Sequence, residues 1–89
     1  MAHFSDTNLN AQRVRLFEAL QSAGVEGITT IQARHELNIL APAPRVFELR
    51  HNYGKNIRTV WTQGVTPEGY SHRIARYVLL PGNWKGAIV

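Results

Sequence analysis

Little in this 89-residue chain is spaced for bond-making chemistry. The four histidines, His3, His35, His51 and His72, show neither the HxxxH nor the HExxH spacing that puts two imidazoles on one metal. There is no cysteine, so no disulfide or thiolate metal site can form, and the redox compartment stays open. The six carboxylates lie on separate stretches, with no converging nucleophile–base set. No Gly-rich loop precedes a helix in the phosphate-cradling pattern. This inventory implies no enzymatic activity, no metal and no cofactor. Charge is the chemistry that remains. Residues 1–41 hold three arginines against four carboxylates. Residues 42–89 hold Arg45, Arg50, Lys55, Arg58, Arg73, Arg76 and Lys85 against Glu48 and Glu68, so the whole positive excess sits there. Such a half suits a polyanion, because neutralising phosphates releases counterions and supplies most non-specific affinity. The plainer alternative is the solvated surface of a small basic protein.

The elements that position these cations follow from pattern. The chain is long enough for one modest core and too short for two. Helix 1 is predicted from Thr7 or Asn8 to Ala23, with Leu9, Leu16, Phe17 and Leu20 on one side and Arg13, Arg15 and Glu18 toward solvent. Gly24 suits the left-handed position beyond its end. Helix 2 opens on a capping box, Thr29 with Gln32 three residues on, flanked by Ile28 and Ala33 at the staple positions. Asn38 suits the left-handed turn that follows. Ala43 is the expected cap of helix 3 and Pro44 its first residue, because a proline disfavours the helical region for the residue before it. Val46, Leu49 and Tyr53 make its core stripe, which turns Pro44, Phe47, Glu48 and His51 outward and sets Arg45, Arg50 and Asn52 on the flanks.

After Tyr53 the period changes from helical to alternating. Ile57 to Thr62 reads as one strand and Tyr70 or Ser71 to Leu80 as another, ended by Pro81-Gly82. The loop between them runs from Gln63 to Gly69, with Thr66-Pro67-Glu68-Gly69 fitting a type I turn. The pair makes an antiparallel hairpin. The expected domain is therefore residues 7–81, with a tail at 82–89 whose Trp84, Ile88 and Val89 dock on the domain, bind a partner subunit as a homodimer contact, or fray. No apolar run approaches the ~20 residues of a membrane span. MAHFSDTN lacks the regions of a signal peptide, so the expected location is cytoplasmic.

Helix, helix–turn–helix and hairpin, in that order, describe an α+β winged helix-turn-helix. Ile28-Thr29, Ala33, Leu37-Asn38-Ile39, Arg45-Val46, Leu49-Arg50 and Gly54-Lys55-Asn56-Ile57 resemble a family of small helix-turn-helix domain proteins of bacteria and their phages. The likeness spans roughly residues 8–80 and rests on fold-making positions. It implies a double-stranded DNA-binding protein, a regulator or an accessory factor of a mobile element, with no catalytic activity. It also implies that the hairpin, from Arg58 to Arg76, touches the backbone or minor groove beside the helix. The chain departs from the family in having Asn38 where Gly is more frequent and Phe47 where a small residue is usual.

The candidate DNA-contacting residues are Pro44, Arg45, Phe47, Glu48, Arg50, His51, Lys55, Arg58 and Arg73. Each has a structural alternative. Arg45 and Arg50 can reach phosphates or pair with Glu48, Glu36 or Glu18. Glu48 can accept from a cytosine amino group or stay solvated or Arg-paired. Phe47 packs on the hairpin or meets thymine methyls and sugars. His51 contacts a base or phosphate, or is exposed without a role. On the hairpin, Arg58 and Arg73 are preferred as nearer the loop than Arg76, while Trp61 is read as a packing residue. The alternative function is a protein-interaction module without DNA binding. One surface shared by Arg45, Arg58, Arg73 and the outward side of helix 3 favours DNA; a flat patch of Phe47 and Trp61 there favours a protein partner.

Overall fold

The computed structural model describes residues 8–65 and 67–86. His3, Thr7, Thr66, Ile88 and Val89 lie outside the described residues. The helices are α1 (Leu9–Ala23), α2 (Thr30–Glu36) and α3 (Pro42–Tyr53). The strands are β1 (Ile28–Thr29), β2 (Lys55–Val65) and β3 (Ser71–Asn83). They form one antiparallel sheet in the order β1-β3-β2. The fold is the expected α+β winged helix-turn-helix, with one strand more than the hairpin.

Local signals set the helix ends. The Asn8 side chain accepts from the Ala11 N–H at 3.1 Å, and Gly24 follows α1 at φ 59°. The capping box is closed on both sides. Thr29 Oγ1 accepts from Gln32 N at 3.0 Å, and Gln32 Oε1 accepts from Thr29 N at 2.8 Å. Asn38 takes the left-handed conformation at φ 56°, just past α2.

Helix α3 starts two residues earlier than expected, with Ala41 as cap and Pro42 as first residue. Both prolines fall in the first turn, where backbone N–H groups have no intrahelical acceptor, so neither removes a hydrogen bond. Burial of Pro42 under the domain outweighs the preference of Ala43 for extended backbone. The buried arc is also rotated. It comprises Pro42, Arg45, Val46 and Leu49, whereas Tyr53 is 53% exposed.

Strand β1 escaped the periodicity because it is two residues long and shares Thr29 with the cap of α2. It pairs Ile28 with Tyr77 and Thr29 with Arg76. Gly27 makes this approach possible: at φ 68°, a Cβ there would collide with the Tyr77 carbonyl oxygen. Strand β2 continues past Thr62 to Val65, and β3 runs through Pro81-Gly82 to Asn83. Proline is tolerated at 81 because the ladder shifts register between Lys55 and Ile57, and Asn56 Nδ2 donates to the Pro81 carbonyl at 2.8 Å.

The core joins Leu16 and Leu20 of α1, Ile39 of the turn, Val46 and Leu49 of α3, and Ile57, Ala75 and Tyr77 of the sheet. Leu9, assigned to the α1 stripe, is 45% exposed; Gln12 takes the interior place one turn before Leu16. Arg15 does not project into solvent. Its Nε donates to the Leu37 carbonyl at 2.9 Å and so closes the end of α2.

Candidate nucleic-acid interface

The flank of α3 that faces α1 is tied up internally. Arg45 is buried at 9% exposure, its Nη2 donating to Glu48 Oε2 at 2.8 Å and its Nη1 lying 3.5 Å from Gln12 Oε1. Arg13 of α1, expected toward solvent, donates to the other Glu48 oxygen at 2.7 Å. The Arg13 hydrogen bond holds the Glu48 carboxyl below the usual carboxylate range, and Glu48 in turn raises the Arg13 guanidinium. Of the alternatives open at Arg45 and Glu48, the structure takes the pairing of each with the other. Rotation of the buried arc toward α1 is the reason.

The opposite flank faces the hairpin and the tail. Arg50 Nε donates to the Ile57 carbonyl at 2.8 Å, and Nη2 donates to Thr59 Oγ1 at 2.9 Å. Burial lowers its guanidinium from the ordinary arginine value. The Arg50 guanidinium lies 4.3 Å from the centre of the Trp84 ring, and the backbone N–H of Trp84 donates to the Gly54 carbonyl at 2.9 Å. Docking is thus the arrangement of Trp84, the aromatic residue of the tail. His51 has its ring 6.3 Å from Trp84 and 4.1 Å from Phe47. Phe47 is 59% exposed and stacks with His51. The outward strip of α3 is therefore Pro44, Phe47 and His51, all exposed, with Glu48 at its edge already neutralised.

The ladder decides where the hairpin cations go. Arg58 pairs with Val78 and Gln63 with Arg73, so by alternation Arg58 and Arg73 point to opposite faces of the sheet. Arg76 is opposite Val60, nearer the hairpin tip than Arg58, which reverses the order expected for those two. Arg76 donates instead to the carbonyls of Val25 and Glu26. Arg73 sits 4.4 Å from the ring centre of Trp61, which is largely exposed. The Lys55 ammonium sits 4.5 Å from the ring centre of Phe17, on the α1 side. So Arg45, Arg58 and Arg73 do not share one surface, and Phe47 and Trp61 have different neighbours.

A signature beyond these contacts identifies the whole. Residues 11–81 match the family model for the winged helix-turn-helix domain. The chain belongs to that family. No curated protein and no solved structure matches it. Within the winged helix-turn-helix, α2, the Asn38 turn and α3 form the bent helix pair, and β2 with β3 forms the wing. The family points to DNA binding, and in such pairs the second helix is the one placed in a groove. Among the described residues, no three His, Cys, Asp or Glu side chains are grouped to hold a metal ion. No helix among them is long and apolar enough to cross a membrane.

Sequence reasoning did not single out Gln12, Arg13 or Lys85. Gln12 carried a usable signal, since it stands one helical turn before Leu16 and two before Leu20. Lys85 carried none beyond its charge; its place beside Arg58 depends on β3 continuing past Pro81.

Proposed function

We propose that this winged helix-turn-helix binds double-stranded DNA with the outward strip of α3 in the major groove and the wing on the flanking backbone. We infer a role as a transcriptional regulator or an accessory factor of a phage or other mobile element. The observation that carries the reading is the state of Glu48. Paired by Arg13 and Arg45, it leaves Pro44, Phe47 and His51 as a strip with no free carboxylate to repel phosphates. Phe47 supplies apolar contact for thymine methyls, and His51 a donor or acceptor. Arg45 and Arg50 brace the helix, so grip on the backbone falls to the wing cations, with Arg58 and Arg73 on its two faces and Lys55 at its base. The contact is proposed for one copy of the chain, since Trp84 packs on its own α3.

The test is affinity for mixed-sequence duplex DNA over a salt series. The wild type gives a steep linear fall of log affinity with log salt, and Arg58→Ala lowers the slope by about 0.9. Arg45→Ala leaves the slope unchanged, and Phe47→Ala changes discrimination among sequences more than it changes the slope. No binding at low salt overturns the proposal. It would then favour the second reading, a protein-interaction module, for which a cleft of about 540 Å³ lined by Ile31, Trp61, Val65 and Ile74 between α2 and the wing is the supporting observation.

A further inference from the structure

The tail closes a second feature beside α3. A groove of about 700 Å³ is bounded by Arg50, Asn56 and Arg58 on one side and by Asn83, Trp84 and Lys85 on the other. Its lining contains three cations and no carboxylate. Arg58 is exposed and has neither a hydrogen-bond nor an ion-pair partner among the described residues, as has Lys85. Arg50 cannot swing away, because two of its nitrogens are held by Ile57 and Thr59 and its face by Trp84. The indole N–H of Trp84 is buried with no acceptor, an unmet donor in the same positive field. Through Trp84 the groove adjoins His51 and hence the outward strip of α3.

We propose that this tail-closed groove seats one or two phosphates of the DNA backbone next to the segment read by α3, with Arg58 and Lys85 as the contacting groups and Trp84 and Arg50 as positioning residues. The inference rests on the DNA-binding reading above and adds to it a third contact, made by the tail, beside helix and wing. Phosphate is the matching chemistry. Its oxygens accept from lysine and arginine, and a groove without carboxylates presents it with no like charge. The Arg50 charge, already held by Ile57, Thr59 and Trp84, adds to the positive field without the ordering cost that long mobile side chains carry.

The experiment measures duplex affinity against salt for the full chain and for Arg58→Ala, Lys85→Ala and the double variant. Folding is checked by circular dichroism. The Trp84 indole N–H resonance is followed during titration with a short duplex and, separately, with inorganic phosphate. Each single variant is expected to lower the salt slope by about 0.9, an affinity loss of about eightfold at 0.1 M salt, equal across sequences. The indole resonance moves with duplex at concentrations where inorganic phosphate has no effect. If the wild type binds steeply and the folded Lys85→Ala variant keeps its slope, this inference falls and DNA binding stands. If the wild type does not bind duplex, both fall. A resonance that responds to inorganic phosphate and not to duplex assigns the groove to free phosphate and overturns the backbone assignment.

Discussion

At the scale of single residues, function depends on which charges are already spent. Glu48 is the clearest case. Its folded-state pKa lies below the ordinary value because Arg13, and then Arg45, hold the charged form. Such a group contributes stability that is present above the unfolded carboxylate value, about 4.3, and lost as pH falls through the lowered folded value. Glu48→Gln is therefore expected to melt a few degrees below the wild type at neutral pH. The difference closes on acidification toward and below the folded-state value, as thermal melts between pH 7 and pH 2 would reveal. A gap that persists unchanged at the acid end would mean that packing, not charge, is what the carboxylate supplies. The same substitution leaves Arg13 and Arg45 without an anion beside the outward strip, so it should strengthen duplex binding while it weakens the fold.

At the scale of elements, the arrangement turns on how closely chain segments approach. Gly27 carries β1 against β3 where any Cβ would meet the Tyr77 carbonyl, and it does so at a φ that L side chains avoid. Gly27→Ala is expected to lower stability by more than the ~1–3 kcal/mol that its positive-φ, extended-ψ backbone alone costs a side-chain-bearing residue, because relief requires β1 to separate. Urea unfolding would measure it. A loss smaller than this would show that the short strand contributes little. The capping box of α2, the left-handed Asn38 and the change of period at Tyr53 were all legible beforehand, since each involves residues within a turn of one another. The start of α3 and the passage of β3 through Pro81 were not. Both depend on a partner distant in sequence, the domain that buries Pro42 and the bulge opposite Pro81.

At the scale of the whole molecule, helices and sheet share one core, with Leu16 and Leu20 from α1, Ile39 from the turn, Val46 and Leu49 from α3, and Ile57 and Tyr77 from the sheet. No part of that cluster is self-sufficient. Denaturation by urea is therefore expected to be a single cooperative transition, with far-ultraviolet circular dichroism and the fluorescence of Trp84 giving coincident curves. In a variant with Trp61 replaced by Phe, the fluorescence reports on Trp84 alone. If the Trp84 transition precedes the loss of helix, the tail is a separate, weaker unit. The groove would then be formed only in part of the population.

The amino-acid sequence by itself determined the order of elements, the caps, the bent helix pair and the concentration of positive charge in the second half. These follow from neighbours along the chain, from periodicity and from composition. Only the tertiary structure decided which of those charges are free. A helical period fixes the angles between Arg45, Glu48 and Arg50 but not the rotation of α3 against the domain, and that rotation buries Arg45, pairs Glu48 and pins Arg50. Likewise, alternation separates strand neighbours, but only the ladder register places Arg58 and Arg73 on opposite faces. Lys85 comes to stand beside Arg58 because β3 carries the chain back to the end of α3. Contacts distant in sequence set rotation and register, and here those two quantities separate bracing charges from available ones.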